Sequence, residues 1–137
     1  MAFEIIRSDE IEKAFKNNTR QYLAGNLAMP QQLKNIQDND VEVGLTCYTE
    51  YKCEKPHYHT RCTEYQYVLS GESKYLDLET GTEYKVGQGD FFVIRPFTKY
   101  YQKSVKGTKI LFFKSPGGND KTEIELEKIY SDWGKEY

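Results

Sequence analysis

From Val41 onward, apolar and polar residues alternate with a period of two. Val41, Val43, Leu45 and Cys47 interleave with Glu42, Gly44, Thr46 and Tyr48. That period belongs to a half-buried strand, whose successive side chains point to opposite faces. Further short strands are predicted over 64–69, 74–78, 91–94, 100–105 and 109–114, with turn signals at Gly71, Gly81 and Gly87-Gln88-Gly89. Such spacing argues an all-β sandwich or barrel. The first forty residues read differently. Ser8-Asp9-Glu10 caps a short helix through Lys16, with Ile11, Ala14 and Phe15 on one side. Residues 20–40, rich in Gln and Asn and carrying Pro30, are expected to form an ordered arm with little regular structure. Ser115-Pro116-Gly117-Gly118-Asn119 breaks the last strand, and Ile124, Ile129, Tyr130 and Trp133 predict a short strand or helix outside the barrel. The chain thus divides into an arm (1–40), a strand-rich core (41–115) and a C-terminal segment packing on it (116–137).

Composition narrows the function. The length of 137 residues suits one domain, and a net charge of −2 argues against nucleic acid as a partner. No apolar stretch is long enough to predict a membrane span, and no signal peptide is expected. The three cysteines, Cys47, Cys53 and Cys62, are odd in number and fit a reducing cytoplasm better than a disulfide framework.

The densest chemistry lies in His57-Tyr58-His59, which holds both histidines of the chain. On a strand the two imidazoles project from one face. Four residues intervene between His59 and Glu64, and six between Glu64 and Gly71. This pattern resembles the first motif of the cupin superfamily, although Tyr51 stands where that motif opens with glycine. Gly89-Asp90, Ile94 and Pro96 resemble part of the second motif. There, Tyr100 replaces the family's last histidine, Phe97 its inner glycine, Ser104 its closing asparagine and Arg95 a frequent proline. The resemblance implies a cupin double-stranded β-helix, a jelly-roll barrel, here with a short N-terminal helical arm. It also implies a divalent transition metal (Fe, Mn, Ni or Zn) on His57, His59 and Glu64, with Tyr100 as fourth ligand or acid–base partner, and a homodimer.

Strand parity adds Gln66 to the face of Glu64 and Gln102 to that of Tyr100, a polar lining suited to a polar ligand. Arg61, Arg95 and Lys99 are expected at the mouth, where arginine would capture a carboxylate or phosphate. Parity puts Cys62 on the face opposite His57 and His59 if the strand is continuous, as a buried thiol. Three functions fit. One is a metal-dependent enzyme on a small polar substrate, such as a sugar derivative or a keto or carboxylic acid, with Glu64 and Tyr100 in catalysis. Another is a metal-free epimerase or ketoisomerase with histidine as base and Tyr100 as acid. The last is a ligand-binding module without chemistry.

Overall fold

The computed structural model describes residues 3–118 and 120–137. Asn119 of the strand-breaking run, and the side chain of Ile129, lie outside what it describes. A short helix, α1 (Ser8–Ala14), opens the chain. It is capped not by Ser8 but by Glu10, whose carboxylate accepts the Arg7 amide at 3.2 Å. Among the described residues ten strands follow: β1 (Arg20–Ala24), β2 (Glu42–Cys47), β3 (Lys52–His59), β4 (Thr63–Ser70), β5 (Glu72–Asp77), β6 (Glu83–Gly87), β7 (Phe91–Ile94), β8 (Tyr100–Ser104), β9 (Lys109–Ser115) and β10 (Lys121–Glu123). They form two five-stranded antiparallel sheets, ordered β1-β2-β9-β4-β7 and β10-β3-β8-β5-β6. Their inner faces enclose a cavity.

Polarity inverts the usual reading of β2. An alternating strand normally buries its apolar set, but here Glu42, Gly44 and Thr46 are buried while Val43, Leu45 and Cys47 are half-covered. The physical reason is the cavity, which puts polar side chains inside and the apolar row on the outer face. Gly44 is needed there, since a Cβ would stand 2.1 Å from the Phe112 ring that crosses it. Gly71 closes the β4–β5 turn at φ +80°, where a Cβ would fall 2.4 Å from Thr108 Oγ1.

The arm departs from the expectation of little regular structure. β1 pairs with β2 from Arg20↔Thr46 onward and so completes the first sheet. Side-chain amides replace backbone partners beside it, which is why the pattern hid it. Gln31 both accepts from the Tyr22 amide and donates to its carbonyl, each at 2.7 Å, as a neighbouring strand would. Buried Gln21 likewise accepts the Leu33 amide at 2.8 Å. β6 was also absent from the expected strands. Its first three residues are exposed, so backbone pairing with β5 rather than burial holds it.

The outer face of the second sheet is covered by the chain's own end. Lys103 Nζ donates to the carbonyls of Trp133 and Glu136, at 2.6 and 2.9 Å, and Trp133 packs on Tyr101 with ring centroids 4.9 Å apart. Phe97, at the position of the family's inner glycine, holds φ +65°. An L residue in that region costs about 1–2 kcal/mol, more than the roughly 0.5–1 kcal/mol of extra unfolded-state freedom that glycine brings. Phe97 is 62% exposed and loses little packing on truncation. Phe97→Gly is therefore expected to stabilise the fold by about 0.5–1 kcal/mol in urea titration, and a loss would show that its stacking on Tyr58 outweighs the strain.

Candidate functional site

A bulge in β3 assembles the site. Register slips between Glu54, opposite Gln102, and His57, opposite Tyr100, so Lys55-Pro56 is the irregular pair. A regular strand would turn residues three apart to opposite faces; the slip lets Glu54, His57 and His59 all enter the cavity. Pro56, which has no amide to give a ladder, is tolerated at such a place.

The cavity encloses about 630 Å³ including its open mouth, and brings together His57, His59, Glu64, Gln66, Tyr100 and Gln102. Arg61, Arg95 and Lys99 lie outside that lining. Arg61 is exposed on the turn after β3, and Arg95 lines a separate, mostly apolar cleft with Tyr84, Val86 and Phe92. Lys99 extends over the Tyr58 ring at 5.9 Å. The cations that do line the cavity are Arg20, Lys114 and Lys121.

Each imidazole is anchored from behind. His57 Nδ1 donates to the Lys55 carbonyl at 3.0 Å, which leaves the lone pair on Nε2, where the Tyr100 hydroxyl donates at 2.9 Å. His59 Nδ1 donates to Asp120 Oδ1 at 2.9 Å, turning Nε2 into the cavity, 3.6 Å from Glu64 Oε1. That gap is too long for a hydrogen bond, and a proton or a cation would close it. Glu64 is oriented by a relay in which Tyr75 donates to Gln66 Oε1 at 2.5 Å and Gln66 donates to Glu64 Oε2.

Asp120 was not among the sequence candidates. Its Oδ2 accepts the amides of Arg61 and Cys62, at 2.6 and 2.9 Å. Burial alone would raise its carboxyl, but those amides and the His59 ring hold it well below the usual range. His59, Cys62 and Asp120 place their ligand atoms within 4.8 Å of one another; among the described residues, His57 and Glu64 join no group that tight. β3 stops at His59, so the parity argument for Cys62 does not apply, and its thiol lies beside Asp120. Burial, with Asp120 and Glu64 nearby, pushes that thiol up to about 12. Both Asp120 oxygens are already engaged, by His59 Nδ1 and by the two amides. The trio is a hydrogen-bond network whose donor types could also hold a cation.

Tyr100 is held well above the ordinary phenol range, by burial first and the Glu64 charge second. It enters the site as a neutral donor, which suits an acid better than a phenolate ligand. Burial pushes His57 down to about 4 from 6.5. Between those values the unfolded chain takes up a proton that the folded one refuses. Stability is therefore full above pH 6.5 and falls as pH drops toward 4, by about 3 kcal/mol in all. Thermal unfolding of chelated protein across this window should show the loss, and His57→Gln should flatten it. An equal slope in the variant would assign the loss to other groups.

A family profile described as "Cupin domain" matches residues 50–110. No curated protein matches the chain by sequence. Among solved structures it resembles an uncharacterised conserved protein with a double-stranded β-helix domain from Klebsiella pneumoniae subsp. pneumoniae MGH 78578. The two are 20% identical over 65% of this chain and 78% of that one, with a TM-score of 0.56. KdgF from Halomonas sp. is 19% identical, covering 74% and 82%, with a TM-score of 0.57. The nucleoside dehydratase Pac13 is 15% identical, covering 69% and 76%, with a TM-score of 0.56. A Streptomyces PAC13 variant solved with uridine is 16% identical, covering 65% and 72%, with a TM-score of 0.55.

Proposed function

Because this chain belongs to the cupin superfamily, with the double-stranded β-helix that the superfamily shares, we propose that its barrel is the active site of a small-molecule enzyme. Its chemistry is proton transfer beside a carbonyl, on a sugar derivative or a keto or carboxylic acid. The observation that carries this reading is the position of His59 between two carboxylates, Asp120 at 2.9 Å and Glu64 at 3.6 Å. Asp120 fixes the tautomer that aims the Nε2 lone pair at the ligand. When His59 takes a proton from carbon, the imidazolium that forms is stabilised from both sides. Tyr100, buried and neutral, turns its hydroxyl from His57 Nε2 to the carbonyl oxygen and gives up its proton as charge develops there. In the free site His57 holds that hydroxyl, and Gln66 and Gln102 supply polar contacts for the ligand.

The second reading is a divalent metal, favoured by the anchoring of both imidazoles through Nδ1 and by the unfilled gap between His59 and Glu64. His57, His59 and Glu64 would hold it, and it would polarise a substrate oxygen. The donor types fit, but Tyr100 occupies the His57 lone pair. Elemental analysis before and after chelation separates the two. Near-stoichiometric metal that is lost in the His57→Ala/His59→Ala double mutant favours this second reading. The first is tested by solvent deuterium exchange at carbon across a panel of keto acids and sugars, and exchange undiminished in His59→Gln would overturn it.

The partner we propose is a second copy of this chain. Two apolar rows cross the outer face of the first sheet, Val43–Phe113–Tyr65–Val93 and Leu45–Leu111–Tyr67–Phe91. Neither row contains a charge, so two such faces would meet without repulsion, and Tyr67, Phe91, Val93 and Phe113 are exposed. The opposite sheet already carries the C-terminal segment. Patches of this kind mark interfaces. Sedimentation should give a dimer that Tyr67→Glu converts to monomer, and a monomeric wild type would remove the proposal.

A further inference from the structure

The cavity's charge is opposite to that of the chain. Arg20, Lys114 and Lys121 line it against Glu54 and Glu64, three cations against two carboxylates, whereas the whole chain is formally −2. Arg20 is already matched. Its Nη2 lies 3.1 Å from Glu54 Oε1 and its Nε donates to Thr46 Oγ1 at 2.9 Å.

Lys114 differs. Its backbone lies between Glu42 on β2 and Glu64 on β4 in one cross-strand row. Yet its ammonium makes no ion pair within 4.0 Å among the described residues. It donates to the Tyr22 hydroxyl at 3.5 Å and lies over the Tyr22 and Phe112 rings, 5.6 and 5.4 Å from their centroids. An ammonium offers three donors, and a buried charge is costly unless it is paired. Lys114 is half-buried; the two rings hold it in place, and the Glu64 and Glu42 carboxylates act on its charge at longer range without forming an ion pair. Lys121 joins it from the other sheet, in register with His59. The two lysines thus enter one cavity from β9 and β10, beside the residues that handle the proton.

We propose that Lys114 and Lys121 form an anion subsite, and that the ligand of this barrel carries a carboxylate or phosphate bound there while its reacting carbon lies between His59 and Tyr100. The placement of the carbon rests on the proton-transfer reading; the subsite does not. Calorimetry on the full chain tests it. Pyruvate and glucuronate probe the carboxylate, inorganic phosphate and glucose 6-phosphate probe the phosphate, and pyruvamide and glucose are the neutral counterparts. At least one anion is expected to bind saturably where its neutral counterpart does not, and whether carboxylates or phosphates do so names the ligand's class. Lys114→Met should weaken that binding about tenfold or more, while Lys114→Arg retains most of it. Lys121→Gln serves as a second variant should Lys114→Met fail to fold. No saturation by any of the four anions at about 10 mM, or unchanged affinity in both lysine variants, would overturn the subsite. His59→Gln separates the two proposals. Anion binding kept in that variant, together with undiminished exchange, would end the proton-transfer reading and leave the subsite standing.

Discussion

Asp120→Ala is expected to be the most damaging single substitution in this protein, at about 3–5 kcal/mol of stability. The carboxylate accepts from the His59 ring and from the amides of Arg61 and Cys62, and so ties β3 to the turn after it and to the chain just before β10. Removing it leaves these donors without their acceptor, each worth roughly 1–3 kcal/mol if it stays buried. Water reaches the exposed Arg61 side, which keeps the total below the simple sum. Asp120→Asn should fall between wild type and alanine, because a carboxamide keeps one acceptor oxygen and turns an N–H₂ toward a donor. Urea unfolding with an unchanged slope measures the loss directly. A change below about 1 kcal/mol would mean that the carboxylate does not organise the site.

Tyr100→Phe carries the largest expected effect on chemistry, a fall of about 10²–10⁴-fold in carbon-bound proton exchange. Its effect on the fold should stay near 1 kcal/mol, because the lost hydroxyl serves one acceptor, His57 Nε2. The same variant discriminates the metal reading, since it frees the His57 lone pair. Under that reading, metal content holds or rises while the proton-transfer reading loses its acid. Full exchange activity in Tyr100→Phe would transfer the weight to metal chemistry. Loss of exchange with no metal in either protein would favour the acid–base pair.

Local patterns carry only part of this site. Parity alone is enough to group His57 with His59, Glu64 with Gln66, and Tyr100 with Gln102, because these pairs lie on single strands. Glu54 escaped that logic, since the bulge at Lys55-Pro56 resets the face of β3. Asp120 escaped it too. It meets His59 across 61 positions, and only the pairing of β10 with β3 brings that stretch alongside. Arg20 lay in a stretch whose strand is disguised by side-chain amides. Lys114 and Lys121 read as ordinary strand lysines until the sheets fixed which way each faced. Arg61 and Arg95 stood out as cations near the motifs, but sequence proximity to a turn says nothing about which opening the turn borders.

What the sequence determined by itself is therefore the class of the fold and which polar side chains converge in its cavity. Short alternating strands, turn glycines and a His-x-His pair with Glu64 specify a barrel with polar groups converging inside, because period-two patterning is a local property of the chain. The tertiary structure decided which face of β2 turns inward, which cations reach the cavity, and that Asp120 orients His59. These depend on register, a bulge and contacts between distant strands, and such pairings form only when the two sheets close on each other.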